Sequence, residues 1–216
     1  MTTDHFLDEI DEELKRERQL ALWNKYGRYA VAGVLVIVIA VSAYVGWRNY
    51  QANKRAEAGL AYAAALEAAS GGKTEDALAA FAKLATEAPA GFADLARLQQ
   101  AGQIARQGNE AGAADIYDAM AKDSAVAEPF RNLALLLYGY TVLDRADPAV
   151  LAERVKPLSA ATSAWRYSAQ EILALLARRR GDEKAARDLF KRLADDPATP
   201  PSVRARAAEF LAVSGK

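Results

Sequence analysis

The chain has 216 residues, with 28 basic and 28 acidic side chains, so its overall charge does not draw it toward nucleic acid. It has no cysteine and a single histidine, His5, which excludes disulfides, thiol nucleophiles and Cys/His metal sites and leaves no histidine base beyond the N-terminal tail. Alanine, the strongest helix former, supplies 50 residues, and β-branched residues are scarce outside one segment, so the chain reads as all-α.

The first element is a tail, residues 1–28. From Asp4 to Glu13 it holds six acids and no Lys or Arg, and a basic stretch follows. Leu7, Ile10 and Leu14 share one helical face, Asp11–Lys15 and Glu12–Arg16 are favourable i,i+4 pairs, and Thr3 is a candidate cap. Such a helix either leads into the next segment as a solvated element or offers a small docking face.

Next, residues 29–47, "YAVAGVLVIVIAVSAYVGW", carry no charge. At about 1.5 Å per residue they extend roughly 28 Å, close to the hydrocarbon thickness of a bilayer. Trp23, Tyr26 and Tyr29 stand at one edge and Tyr44, Trp47 and Tyr50 at the other, as in an interfacial aromatic belt. A core helix of a soluble protein would not be apolar on every face. "VSA" at 41–43 resembles a signal-peptide cleavage site, but 28 residues with seven acids precede the run, and it continues past Ala43 to Trp47. The reading is one transmembrane helix over 29–47. Lys15, Arg16, Arg18, Lys25 and Arg28 before it, against Arg48, Lys54 and Arg55 after it, place the N-terminus in the cytoplasm. In a bacterium the protein would then sit in the inner membrane, single-pass, with residues 52–216 in the periplasm. Ser42 and Gly46 form a small-x-x-x-small face on which another membrane helix could pack.

The remainder repeats. "GKTEDALAAFAKLATE" (72–87), "GNEAGAADIYDAMAKD" (108–123) and "GDEKAARDLFKRLADD" (181–196) each begin with Gly. Each then has Ala five residues on (Ala77, Ala113, Ala186), an aromatic at nine (Phe81, Tyr117, Phe190) and an apolar residue at twelve (Leu84, Met120, Leu193). Ala follows at thirteen (Ala85, Ala121, Ala194) and an acid at fifteen (Glu87, Asp123, Asp196). Each string reads as a turn and the second helix of a pair, with first helices near 56–70, 93–107 and 163–180. Ala65, Ala101 and Ala174, seven positions before each Gly, mark where paired helices cross. Gly72, Gly108 and Gly181 are 36 and 73 residues apart, so a divergent pair must fill 127–158. There Pro129 and Pro148 suit first helical turns and Asp147 suits a cap. A last helix at 201–213 closes the stack. The resulting fold is an all-α chain: one N-terminal transmembrane helix, then a tetratricopeptide-like α-solenoid of about four helix pairs, since a period of about 34 residues built from helix pairs is the tetratricopeptide signature.

The whole layout, with tail and anchor "FLDEIDEELKRERQLALWNKYGRYAVAGVLV" before an Ala-rich repeat domain, resembles the bacterial YfgM-like proteins, ancillary subunits of the Sec translocon. The resemblance covers nearly the full length and rests on the combination of tail, anchor and repeats. It implies binding to translocon subunits and to a membrane-anchored periplasmic prolyl-isomerase-like chaperone, with assistance to exported chains. It brings no catalytic residues.

Stacks of this kind present their first helices as a concave surface for a partner. The repeat register turns Tyr62, Leu66, Leu98, Arg106, Glu171, Leu175, Arg178 and Arg179 toward it, with Tyr138 and Tyr140 from the divergent unit. "ARRRGDEK" (177–184) is the densest basic cluster, which a solvated helix end also explains through its dipole. No Gly-rich phosphate loop or nucleophile elbow occurs, and the scattered carboxylates and tyrosines form no catalytic constellation. The expectation is a non-enzymatic scaffold or chaperone accessory with protein partners, no cofactor, no metal, no nucleic acid and no small-molecule substrate. The alternative is an envelope scaffold for cell-division or cell-wall machinery.

Overall fold

The computed structural model describes the backbone from Thr3 to Ser214, and the side chains of Leu20, residues 23–29 and residues 31–213. The tail's capping by Thr3, its Leu7/Ile10/Leu14 face and its two ion pairs concern side chains outside the described residues. Among the described residues every regular element is helical. Two compact units divide at Lys54 and Arg55, inside helix α1 (Thr3–Ser70).

In the first unit, the apolar part of α1 has no buried residue across its most hydrophobic window. Val36 is 65% exposed and Val38, on the opposite face, 54%, so both flanks of the helix are bare hydrocarbon. Such a helix is stable only where its surroundings are apolar. Rings and cations share its two edges: Lys25 lies 5.4 Å from the Tyr26 ring centre and Arg28 4.8 Å from that of Tyr29. Beyond the apolar run, Lys54 lies 5.5 Å from the Tyr50 ring centre.

In the second unit, the end of α1 pairs with α2 (Thr74–Glu87), and α3 (Ala90–Arg106) with α4 (Glu110–Lys122). The divergent pair is α5 (Glu128–Thr141) and the short α6 (Pro148–Val155), prolonged by a 3-10 turn, Lys156–Ser159. Then come α7 (Arg166–Arg179), α8 (Glu183–Asp195) and an unpaired α9 (Pro201–Ser214). From α2 onward each helix packs on the next, and α3, α5, α7 and α9 also meet in sequence. That second set of contacts, first helix on first helix, makes the array a solenoid.

Local chemistry explains the turns. Gly72, Gly108 and Gly181 are the only residues with positive φ among the described ones, at 78°, 84° and 78°. A residue with a Cβ resists that region, so each repeat begins with the one residue that enters it freely. The next positions cap: Asn109 accepts from the Gly112 N–H at 2.9 Å and Asp182 from that of Ala185 at 3.0 Å. Asp147 accepts from the Ala149 and Val150 N–H groups ahead of Pro148, as the sequence indicated.

The core follows the register. Ala65, Ala77, Phe81 and Leu84 cluster with Ala96 of the next helix. Ala101, Ala113, Tyr117 and Met120 cluster with Ala134, and Ala174, Phe190 and Leu193 with Ala207. The design is one: alanines let backbones close up while an aromatic fills the space between a pair and its successor. Around the divergent pair a larger aliphatic cluster, including Leu136, Leu151, Val155 and Ile172, takes over.

Candidate partner-binding surface

Position ten before the repeat Gly does not face an open groove. Tyr62 packs 5.9 Å from the Phe81 ring and 6.2 Å from that of Phe92 on the following helix. Leu98 is buried among Ala101, Tyr117 and Met120. Glu171 is buried as well, at 4% exposure. The sequence reading that turned Leu98 and Glu171 outward is therefore corrected: this position sits between successive first helices, where the solenoid's own contacts cover it.

Glu171 is instead the centre of a polar network. Tyr140 Oη donates to its Oε2 at 2.7 Å, and Arg206 donates through Nε to Oε1 at 2.6 Å and through a terminal nitrogen to Oε2 at 2.7 Å. Three helices, α5, α7 and α9, are tied at one carboxylate. Burial pushes the Tyr140 hydroxyl well above the ordinary phenol value, and the hydrogen bond to Glu171 pushes it further. The same carboxylate raises the Arg206 guanidinium.

Two more of the expected surface residues are engaged within the repeat domain itself. Tyr138 packs into two neighbouring clusters, with the Arg154 guanidinium 4.6 Å from its ring centre. Arg179 donates to the carbonyls of Leu143 and Ala146, which end the turn after α5. Leu66, Arg106 and Arg178 are exposed and Leu175 is half-buried. These four come nearest to the open positions that the register called for. Ser42 and Gly46 are exposed on the apolar helix, and Gly46 has open space where a Cβ would point.

Sequence reasoning missed a set of ties between successive pairs. Arg154 meets Asp118 at 2.6 Å, Arg206 meets Glu171, and Arg145 donates to the Glu110 carbonyl at 2.9 Å. Each joins residues 35 or 36 apart, which is the repeat period. Burial alone would raise the Asp118 carboxyl, but hydrogen bonds from Lys122 and Arg154 outweigh it and hold it below the usual range. Opposite charges one period apart were the available signal.

The outer surface has open clefts of mixed charge. One, of about 800 Å³, includes Arg166, Lys191 and Arg192 facing Asp188, Asp195 and Asp196. Lys191 and Asp195 pair at 2.8 Å, and Arg166 and Asp196 approach to 3.7 Å. At the first unit of the stack Leu60 is 75% exposed, whereas its equivalents Ala96 and Ala169 are fully buried by the pair before them. Among the described residues no group of three or more His, Asp or Glu side chains could hold a metal ion.

A helix-pair solenoid with side chains left open on its first helices is a protein-interaction module. The description "tetratricopeptide repeat-like domain" matches residues 21–188, and the chain belongs to that family. Domains of this family are typically non-enzymatic modules for protein–protein interaction. No curated protein and no solved structure matches the chain.

Proposed function

We propose that the protein is a membrane-tethered, non-enzymatic scaffold in the bacterial envelope, a chaperone accessory at the Sec translocon. Its partners on this reading are translocon subunits, a periplasmic prolyl-isomerase-like chaperone and exported chains. The observation that carries it is the union, in one chain, of a tetratricopeptide repeat-like domain with a helix apolar on every side. Residues 29–47 bring the protein into the plane of a membrane partner, with Ser42 and Gly46 as the packing face. Residues 52–216 supply a second contact through Leu66, Arg106, Leu175 and Arg178. Tethering raises the effective concentration of that second contact to the order of millimolar, so a weak surface acts in the membrane.

Co-purification from native membranes tests the proposal. Translocon subunits should be recovered with the tagged full-length protein. Replacing 29–47 by an unrelated span should lower their recovery, and Leu66→Glu with Leu175→Glu should lower that of the chaperone or exported chains. Recovery of division or peptidoglycan proteins instead would assign the scaffold to that machinery. Unchanged partners in both variants would refute the two-contact arrangement.

A further inference from the structure

At the C-terminal end of the stack, a cleft of about 370 Å³ is lined by Arg178, Glu183, Arg187, Phe210 and Val213. Phe210 is anchored, its ring centre 4.1 Å from that of Phe190 at an interplanar angle of 30°. The Arg178 guanidinium lies 5.4 Å from the Phe210 ring centre, and Val213 is 73% exposed. Aromatic, aliphatic and cationic surface therefore meet in one recess.

The charge there is one-sided. From Arg178 to Arg187 the chain places Arg178, Arg179, Arg180, Lys184 and Arg187 against Asp182 and Glu183 only. The Asp182 carboxylate caps α8 through the Ala185 N–H. Asp188, next along, lines the cleft of mixed charge beside Arg166 and Lys191. None of the five cations forms an ion pair among the described residues. In a chain of zero net charge this excess is a local concentration.

Helix stability accounts for only part of it. Arg178 and Arg179 stand in the last turn of α7, where positive charge complements the dipole. Lys184 stands in the first turn of α8, at the positive end of its dipole, where a cation is unfavourable, and Arg187 follows just beyond that turn, where the dipole offers it nothing. Both are exposed and add nothing to the core.

We propose that this cleft docks an acidic protein segment carrying an apolar side chain beside its carboxylates. The apolar side chain packs on Phe210 and Val213 while the carboxylates meet Arg178 and Arg187. Glu183 repels carboxylates from its own side and so fixes the direction of the segment. An anionic lipid phosphate fits less well, because Glu183 lines the same cleft and a phosphate carries no apolar group to set against Phe210. The inference rests on the scaffold reading and adds the chemistry of one partner.

The test titrates full-length protein in detergent micelles into a fluorescein-labelled dodecamer of alternating Leu and Glu, read by anisotropy against empty micelles. Parallel peptides carry Lys for Glu, or Ser for Leu. The Leu/Glu peptide should bind, weaken in about 0.5 M salt and lose about tenfold or more in affinity to Arg178→Glu/Arg187→Glu, at unchanged helicity. The other two peptides should not compete. Should the double variant lose helicity, Arg187→Glu alone, outside the core, decides the same point. Equal affinity for the variant, equal binding of the Ser peptide, or displacement by short-chain phosphatidylglycerol would each overturn the proposal, the last in favour of a lipid site. Absence of peptide binding while native partners still co-purify would sink this inference and leave the scaffold standing; loss of both would sink both.

Discussion

Three aromatic side chains fix the spacing of the repeat domain. Phe81, Tyr117 and Phe190 are buried at the same position of three helix pairs, each against a pair of alanines. Truncating any one leaves a cavity that neighbouring alanines cannot fill. Phe81→Ala, Tyr117→Ala and Phe190→Ala should each lower stability by about 2–5 kcal/mol in denaturant unfolding of the 52–216 fragment. Neutral behaviour at all three would show that the register is misplaced. These residues were legible because apolar positions recur at one spacing in the sequence. The Glu171 network was not, since a carboxylate in a register of outward positions reads as solvent-facing until its partners Tyr140 and Arg206 are known. The network also predicts a pH dependence. Burial and the bond to Glu171 hold the folded Tyr140 hydroxyl above its ordinary value of 10.0. The folded state therefore keeps that proton longer than the unfolded chain does. Its contribution is whole below about pH 10 and is lost as pH rises through the folded value. The melting temperature should fall more steeply above that pH in the natural protein than in Tyr140→Phe, and parallel curves would remove Tyr140 from the alkaline transition.

Turns and caps decide where each helix begins. Gly72, Gly108 and Gly181 adopt left-handed backbone with open space at the missing Cβ. Alanine there meets no clash, so its cost is purely conformational, about 1–2 kcal/mol at each site. Gly91, near the start of α3, also faces open space but has ordinary helical backbone, so Gly91→Ala should be neutral or stabilising by up to about 1 kcal/mol. Thermal melts of the four single variants check the contrast, and equal effects would show that the turn conformation is not what selects glycine. Element boundaries were readable for the same reason: the sequence signal and the backbone requirement coincide at Gly72, Gly108 and Gly181, the last two followed by the caps Asn109 and Asp182. The divergent pair was placed by its prolines and Asp147. Its inner packing was hidden because α6 has only eight residues and its neighbours supply the aliphatic cluster. Gly139 shows that packing most sharply, since an added Cβ would come within 3.1 Å of Ile172 Cδ1.

At the scale of the molecule, one chain holds a repeat domain with its own core and a helix whose apolar surface has no cover among the described residues. Hydrophobic surface of that extent is stable in hydrocarbon and unstable in water, and the rings and cations at its edges suit the two interfaces. Five basic residues shortly before residue 29 stand against three shortly after residue 47, and the proposed scaffold rests on the orientation this bias favours, with the N-terminal side in the cytoplasm and residues 52–216 in the periplasm. The absence of native cysteine makes this directly testable, because any introduced thiol is the sole target for labelling. Cysteines at Ser70 and Ser202, both exposed, should react with a membrane-impermeant maleimide in cells whose outer membrane has been permeabilised. A cysteine at Thr3 should react only after lysis, and all three variants should retain the mass of the uncleaved chain. Labelling at Thr3 in intact cells would invert the topology. Loss of the first 43 residues would turn the anchor into a cleaved signal and leave the repeat domain free in the periplasm, where the tethering on which the scaffold depends could not operate.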